Sequence, residues 1–162
     1  MFKKIMLLSV LFFASCNLET PSEFSEKALN DSFYTLDNKS ILLKEILNKH
    51  KGKKIVINVW ASWCKDCVVG MPNLREFQKN NPQAVYLFLS INRNMHSWKK
   101  AIDRFDIKGD HYFVKQGLVG DFGDFLNSNW IPRYLVVNEN GTIDLFKAKK
   151  ITDPRIVEAL KK

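Results

Sequence analysis

Apolar residues in this chain gather into long runs and spaced stripes, and their order predicts most of the fold. Ile55-Val56-Ile57-Asn58-Val59-Trp60 and Ala84-Val85-Tyr86-Leu87-Phe88-Leu89-Ser90-Ile91 are nearly unbroken and rich in β-branched and aromatic residues. Runs of that length without polar alternation predict strands buried on both faces of a sheet. Between them, Cys67, Val68, Met71, Leu74 and Phe77 recur at helical spacing, predicting a helix that ends near Asn80-Asn81-Pro82. Trp98, Ala101, Ile102 and Phe105 mark one face of a second helix over Met95–Phe105.

Shorter signals complete the order. Residues 33–36 and 41–43 flank the turn formers Asp37-Asn38-Lys39-Ser40, which predicts a short hairpin. Residues 44–50 predict a brief helix stopped by Gly52, residues 111–114 a short strand, and residues 122–126 a short helix. Residues 134–137 and 142–146 pair around Asn138-Glu139-Asn140-Gly141, and residues 156–160 begin a closing helix. Strands alternating with helices, then a hairpin and a helix, predict an α/β sandwich on a mixed sheet. No internal repeat interrupts that order.

The first sixteen residues have another character. Lys3-Lys4 precede an apolar run from Ile5 to Phe13, closed by Ala14-Ser15-Cys16. A basic start, an apolar core and small residues form the plan of a secretory signal. The run is too short to span a bilayer, which takes roughly 20 residues. Phe13-Ala14-Ser15-Cys16 resembles a bacterial lipobox, with Phe13 where Leu is usual, and implies that Cys16 is acylated. A plain secretory signal with an incidental Cys16 is the alternative. The chain therefore divides into a signal over residues 1–15, a lipidated cysteine and polar tether over 16–26, and one domain over 27–162. Three cysteines leave one unpaired in an exported protein, and lipidation of Cys16 leaves Cys64 and Cys67 as a pair.

Composition narrows the function without naming it. A chain of 162 residues with 12 Phe and 4 Trp suffices for one core without staples or metal. The net charge of +8 comes largely from scattered lysines, which read as solvated helix faces and loops. Nucleic-acid binding would need a basic stripe interleaved with reading side chains, and none is visible. A modest attraction to anionic lipid is compatible with the charge.

The chemistry lies in Trp60-Ala61-Ser62-Trp63-Cys64-Lys65-Asp66-Cys67. A buried strand delivers these residues to a sheet end, where a helix begins. Two cysteines three apart on a first helical turn share a face, with Cβ atoms about 5–6 Å apart, so a small adjustment reaches disulfide geometry. Unpaired N–H groups and the helix dipole favour thiolate character at Cys64.

That segment resembles the active site of the thioredoxin superfamily. Pro72 matches the proline that kinks the family's active-site helix, and Ile131-Pro132 before residues 133–137 matches its cis-proline loop. The likeness runs from about residue 24 onward and is strongest to TlpA/ResA-like, membrane-tethered oxidoreductases. It implies a thioredoxin-like three-layer sandwich: a central mixed sheet with helices on both faces, an N-terminal hairpin and an extra strand–helix insertion around 95–114.

It also implies roles. Cys64 is the exposed nucleophile and Cys67 the buried resolving thiol. Trp63 walls the site, while cis Pro132 presents the Ile131 backbone to a substrate strand. Lys65, Asp66, Asn58 and Pro72 tune the pair. Lys65-Asp66 replaces the Gly-Pro of thioredoxin, Asn58 stands where thioredoxin has a buried acid, and Gly70 where several cytochrome c maturation members carry a glutamate. No cofactor is expected beyond the redox-active Cys64–Cys67 disulfide. The implied partners are disulfides of exported proteins, apocytochrome c among them, and a membrane thiol protein that donates electrons.

The same residues admit other readings. A static Cys64–Cys67 staple puts no constraint on Trp63, Pro72 or Ile131-Pro132. Zinc needs about four ligands, and His50, His96 and His111 lack ligand spacing to the pair, reading as surface or capping residues. Trp98 and Phe105 read as core, Trp130 as either core or groove, and Arg133 and Asp66 as solvent-exposed. Two functions follow: a disulfide reductase, or a thioredoxin-fold binding module that holds an exported client or metal-delivery partner.

Overall fold

The computed structural model describes residues 20–162; Cys16 and the signal segment lie outside them. Seven strands form one sheet in the order β2-β1-β5-β4-β3-β6-β7. They are β1 (Ser32–Tyr34), β2 (Ser40–Leu42), β3 (Ile55–Trp60), β4 (Val85–Ser90), β5 (Asp110–Phe113), β6 (Arg133–Val137) and β7 (Ile143–Ala148). The helices are α1 (Glu26–Leu29), α2 (Leu43–Lys49), α3 (Lys65–Val69), α4 (Met71–Asn80), α5 (Met95–Phe105), α6 (Asp121–Leu126) and α7 (Pro154–Lys161).

The centre of the sheet is where the apolar runs placed it. All six residues of β3 are buried, between parallel β4 and antiparallel β6. Each buried Val, Ile, Leu or Phe side chain contributes roughly 1.5–3 kcal/mol relative to exposure. The connections β3–β4 and β4–β5 step the same way across the sheet, so right-handed crossovers put α3, α4 and α5 on one face. Arg75 Nη1 of α4 accordingly donates to the Phe105 carbonyl of α5 at 3.0 Å. α1 packs on α6, and α7 on β6 and β7. The turn between β6 and β7 places Gly141 at φ +96°, a conformation side chains with a Cβ rarely adopt.

Two local readings change. The helix predicted from Cys64 onward is two helices meeting at Gly70: Pro72 has no N–H to donate to the Val68 carbonyl, so the ladder breaks there. Packing begins earlier than the expected tether allows: the Ser22 carbonyl accepts from Ile143 N–H at 2.7 Å, and Phe24 is buried against Phe125. Asp31, unremarked in the sequence, is also buried. Its carboxylate accepts from Ser32 N–H at 2.8 Å and Phe122 N–H at 2.9 Å, fastening α6 to the N-terminal hairpin.

The histidines divide as well. His50 caps α2 and meets Asp110 at 2.8 Å, while His96 is exposed. His111 is not a surface residue: it is buried on β5, stacked on Phe88 at 5.0 Å between ring centres. Nε2 lies 3.1 Å from the Ile107 carbonyl, and the buried Nδ1 has no partner among the described residues.

Two predictions follow from these buried polar groups. Asp31→Ala leaves the buried Phe122 N–H unpaired and should cost about 2 kcal/mol in urea unfolding; an unchanged midpoint would remove the fastening role. Burial pushes the His111 pKa below its usual 6.5, partly opposed by its bond to Ile107 and by Asp110. The unfolded chain therefore binds the proton first, so stability is full above about pH 6.5 and falls as pH drops below it. His111→Phe should lose less melting temperature than the parent between pH 7 and 5.5, and an equal loss would assign the pH effect elsewhere.

Candidate active site

At the end of β3 the chain leaves the sheet through Ala61, Ser62 and Trp63 and enters α3 with Cys64 as N-cap. The Cys64–Cys67 disulfide is formed, with Cα atoms 5.3 Å apart. Cys67 N–H donates to the Cys64 sulfur at 3.1 Å, a donor that persists for a thiolate when the bond is reduced. Both cysteines are covered, Cys67 at 3% exposure and Cys64 at 7%. Cys64 was expected exposed. Trp63, Trp130 and Ile131 gather around it, and its remaining access is through the cleft they line with Lys65 and Ile91.

A loop of this length needs an anchor, and Asn92 supplies it. Its side chain is 4% exposed. Oδ1 accepts from Ser62 N–H at 2.9 Å and from the Ser90 hydroxyl at 2.9 Å. Nδ2 donates to the hydroxyls of Ser62 at 2.6 Å and Ser97 at 3.1 Å. Four groups on β4, α5 and the cysteine loop thus share one amide. Its only signal in the sequence is Ser90 and Asn92, two polar residues closing an apolar strand.

The other wall comes from the loop before β6. The Ile131–Pro132 peptide is cis, and the Ile131 carbonyl oxygen lies 3.6 Å from the Cys64 sulfur. Pairing of β6 with β3 begins only at Arg133, opposite Val59. Among the described residues no backbone hydrogen bond engages either side of the Ile131 peptide. Trp63 is 56% exposed and Trp130 53%, so Trp130 belongs to the groove rather than the core. Lys65 and Asp66 are exposed on the first turn of α3.

Two candidates sit away from this rim. Pro72 lies in the first turn of α4, where it separates α3 from α4. Asn58 is in the middle of β3, 2% exposed, with Oδ1 unpartnered among the described residues. Arg133 was expected in solvent and is instead 8% exposed, because it opens a strand that is buried throughout. Burial lowers its pKa from the usual guanidinium range, without taking the charge from it.

The family follows from comparison. The Redoxin family model matches residues 16–160. The chain belongs to the Redoxin family. It is similar to the thioredoxin-like protein YneN of Bacillus subtilis, 28% identical over 62% of this chain and 59% of that one. It is also similar to the thiol-disulfide oxidoreductase ResA of Bacillus thuringiensis subsp. konkukian, 25% identical over 89% of this chain and 80% of ResA. Among solved structures, a proposed thiol-disulfide oxidoreductase from Bacteroides vulgatus superposes with a TM-score of 0.67 at 26% identity, covering 91% of each chain. A thiol-disulfide oxidoreductase from Bacteroides fragilis shares the fold at 19% identity, with a TM-score of 0.66 over 84% of this chain and 98% of that one. The protein is a thiol–disulfide oxidoreductase of the thioredoxin superfamily, TlpA/ResA-like in fold.

Asn58 offers a test of the site's interior. An aspartate in that buried position has no partner to hold its charge, so burial raises its pKa above the unfolded value of about 3.9. Its neutral form is favoured at acid pH and its stability contribution is lost as pH rises through the folded pKa. Relative to the parent, Asn58→Asp should lose on the order of 2–4 kcal/mol more at pH 8 than at pH 4 by urea unfolding. A constant difference would mean that water or a neighbour solvates the charge.

Proposed function

We propose that the protein is a lipid-anchored envelope reductase of disulfides in exported proteins, with apocytochrome c one candidate client. One observation carries the reading: Cys64 lines the cleft beside an Ile131 peptide that has no backbone hydrogen bond among the described residues, with Cys67 covered behind it. The reduced pair starts the cycle. Cys64 thiolate attacks one sulfur of a client disulfide, forming a mixed disulfide and expelling the client's other sulfur as thiolate. Cys67 thiolate then attacks the Cys64 sulfur, the mixed disulfide breaks, and the client leaves as a dithiol carrying two electrons. The oxidised pair takes two electrons and two protons from a membrane thiol protein.

Each residue has a part in that cycle. A client strand pairs with Ile131, held by cis Pro132, and lies between Trp63 and Trp130. The helix N-terminus and the Cys67 N–H stabilise the thiolate on Cys64. Asn58 and Gly70 carry no acid, so the Cys67 proton leaves to water. Lys65 and Asp66 pull the potential in opposite directions. Acylated Cys16 tethers the domain to the outer side of a membrane; no helix among the described residues is long and apolar enough to cross one.

The reduction potential of the full chain, read against dithiothreitol or glutathione buffers, tests the direction. A value near or below about −250 mV is expected of a reductase, whereas one above about −180 mV would make the protein an oxidant or isomerase. Cys64→Ser should abolish turnover of a disulfide client. If the parent turns over no client while Cys64→Ser still binds one, or the pair cannot be cycled at all, the thiols are incidental and the protein is a binding module for a client. Cys16→Ser should release the chain from the membrane fraction, and retention there would refute the anchor.

A further inference from the structure

Beside the cis-proline loop lies an open cleft of about 550 Å³, which shares Trp130 with the cleft over Cys64. Its basic lining comprises Arg133, Lys147, Lys149, Lys150 and Arg155. The one carboxylate there, Asp153, is taken by Arg155 at 2.6 Å and by the first turn of α7. Arg133 is the unusual member. It is more than nine-tenths buried, its Nη1 is sealed from solvent without a partner, and no hydrogen bond or ion pair reaches its guanidinium among the described residues. A buried cation without a counter-charge is expensive to maintain in a fold. It is explained where a ligand supplies the charge.

We propose that this cleft is a carboxylate subsite that selects client segments bearing Asp or Glu a few residues from the reactive cysteine. The inference rests on the reductase reading above and names the substrate class for the same site. Continuity points to a client rather than a membrane surface. Trp130 lines this cleft, the cleft over Cys64, and a third that runs past Asp66, Pro132 and Tyr134. A chain paired with Ile131 is therefore led along Trp130 to Arg133, the residue directly after Pro132. A lipid headgroup would meet the exposed lysines Lys147, Lys149 and Lys150, but a guanidinium this deeply covered is reached only by a side chain that enters the cleft. A planar guanidinium also suits a carboxylate, which it can hold with two parallel hydrogen bonds from Nε and Nη2, the nitrogens that are not sealed.

The test compares two disulfide peptides, identical except for Glu or Gln near the cysteine, as substrates of the reduced full chain in neutral detergent. A charge-assisted hydrogen bond of about 1.5–3 kcal/mol predicts that the parent prefers the Glu peptide in kcat/KM by about tenfold or more, with the difference residing in KM. Arg133→Met should bring the ratio to about one. Lys149→Gln with Lys150→Gln, both at exposed positions that tolerate change, should lower it about twofold to threefold and keeps the question answerable if Arg133→Met fails to fold. A parent ratio of one with both peptides turned over overturns the subsite and leaves the reductase intact. Failure to turn over either peptide takes the reductase reading down with it. A parent ratio of one, with phosphatidylglycerol micelles but not phosphatidylcholine micelles inhibiting both peptides equally, would reassign the cleft to a lipid surface.

Discussion

Antiparallel pairing of β6 with β3 is the constraint from which the site follows. Because the two strands run in opposite directions, the end of β3 that delivers Cys64 lies beside the start of β6 that delivers Ile131 and Pro132. On its other side β3 runs parallel to β4, so the end of β4 arrives at the same edge with Asn92. Three loops from distant parts of the chain thus converge on one sheet edge. Nothing in their local sequences would bring them together; the ladder hydrogen bonds of one buried strand do.

The convergence is held by polar groups in an apolar setting. Asn92 fastens the cysteine loop to β4 and α5 with its side-chain amide, and Asp31 fastens α6 to the N-terminal hairpin. Such groups are satisfied in one arrangement only, so they specify geometry more than they add stability. Asn58 and Arg133 are the contrasting cases, each buried with an unpartnered atom. They lie in the middle of β3 and at the start of β6. Polar atoms left unsatisfied inside a core are the places where a fold departs from its own packing rules.

The active surface is correspondingly uneven. Trp63 and Trp130 stand half exposed on either side of a nearly covered disulfide, giving a client apolar area to bury against. Positive charge lies to one side of them, around Arg133 and Lys147 to Lys150. Attack at sulfur is sequence-blind chemistry. Whatever selectivity the protein has must come from these flanking features, since the dithiol itself distinguishes clients only by access and potential.

Much of this was legible along the chain. The buried strands β3 and β4, the helix over Met95–Phe105 and the β6–β7 hairpin follow from periodicity and turn residues, because burial on one or two faces writes itself into local spacing. The Trp-Cys-x-x-Cys segment and Ile131-Pro132 were readable through their resemblance to the thioredoxin superfamily's active site and cis-proline loop. The break at Gly70 was half visible in Pro72. Burial of Arg133 and His111, the Asn92 clamp, the Asp31 fastening and the cover over Cys64 were not. Each depends on which strand lies beside which, and a lysine-rich stretch around 147–150 reads as solvated charge until β6 brings a buried arginine next to it. Local sequence determined the elements and the reactive pair, since propensity and spacing act over a few residues; tertiary structure alone decided what faces the pair, since that is set by contacts between segments up to 67 residues apart.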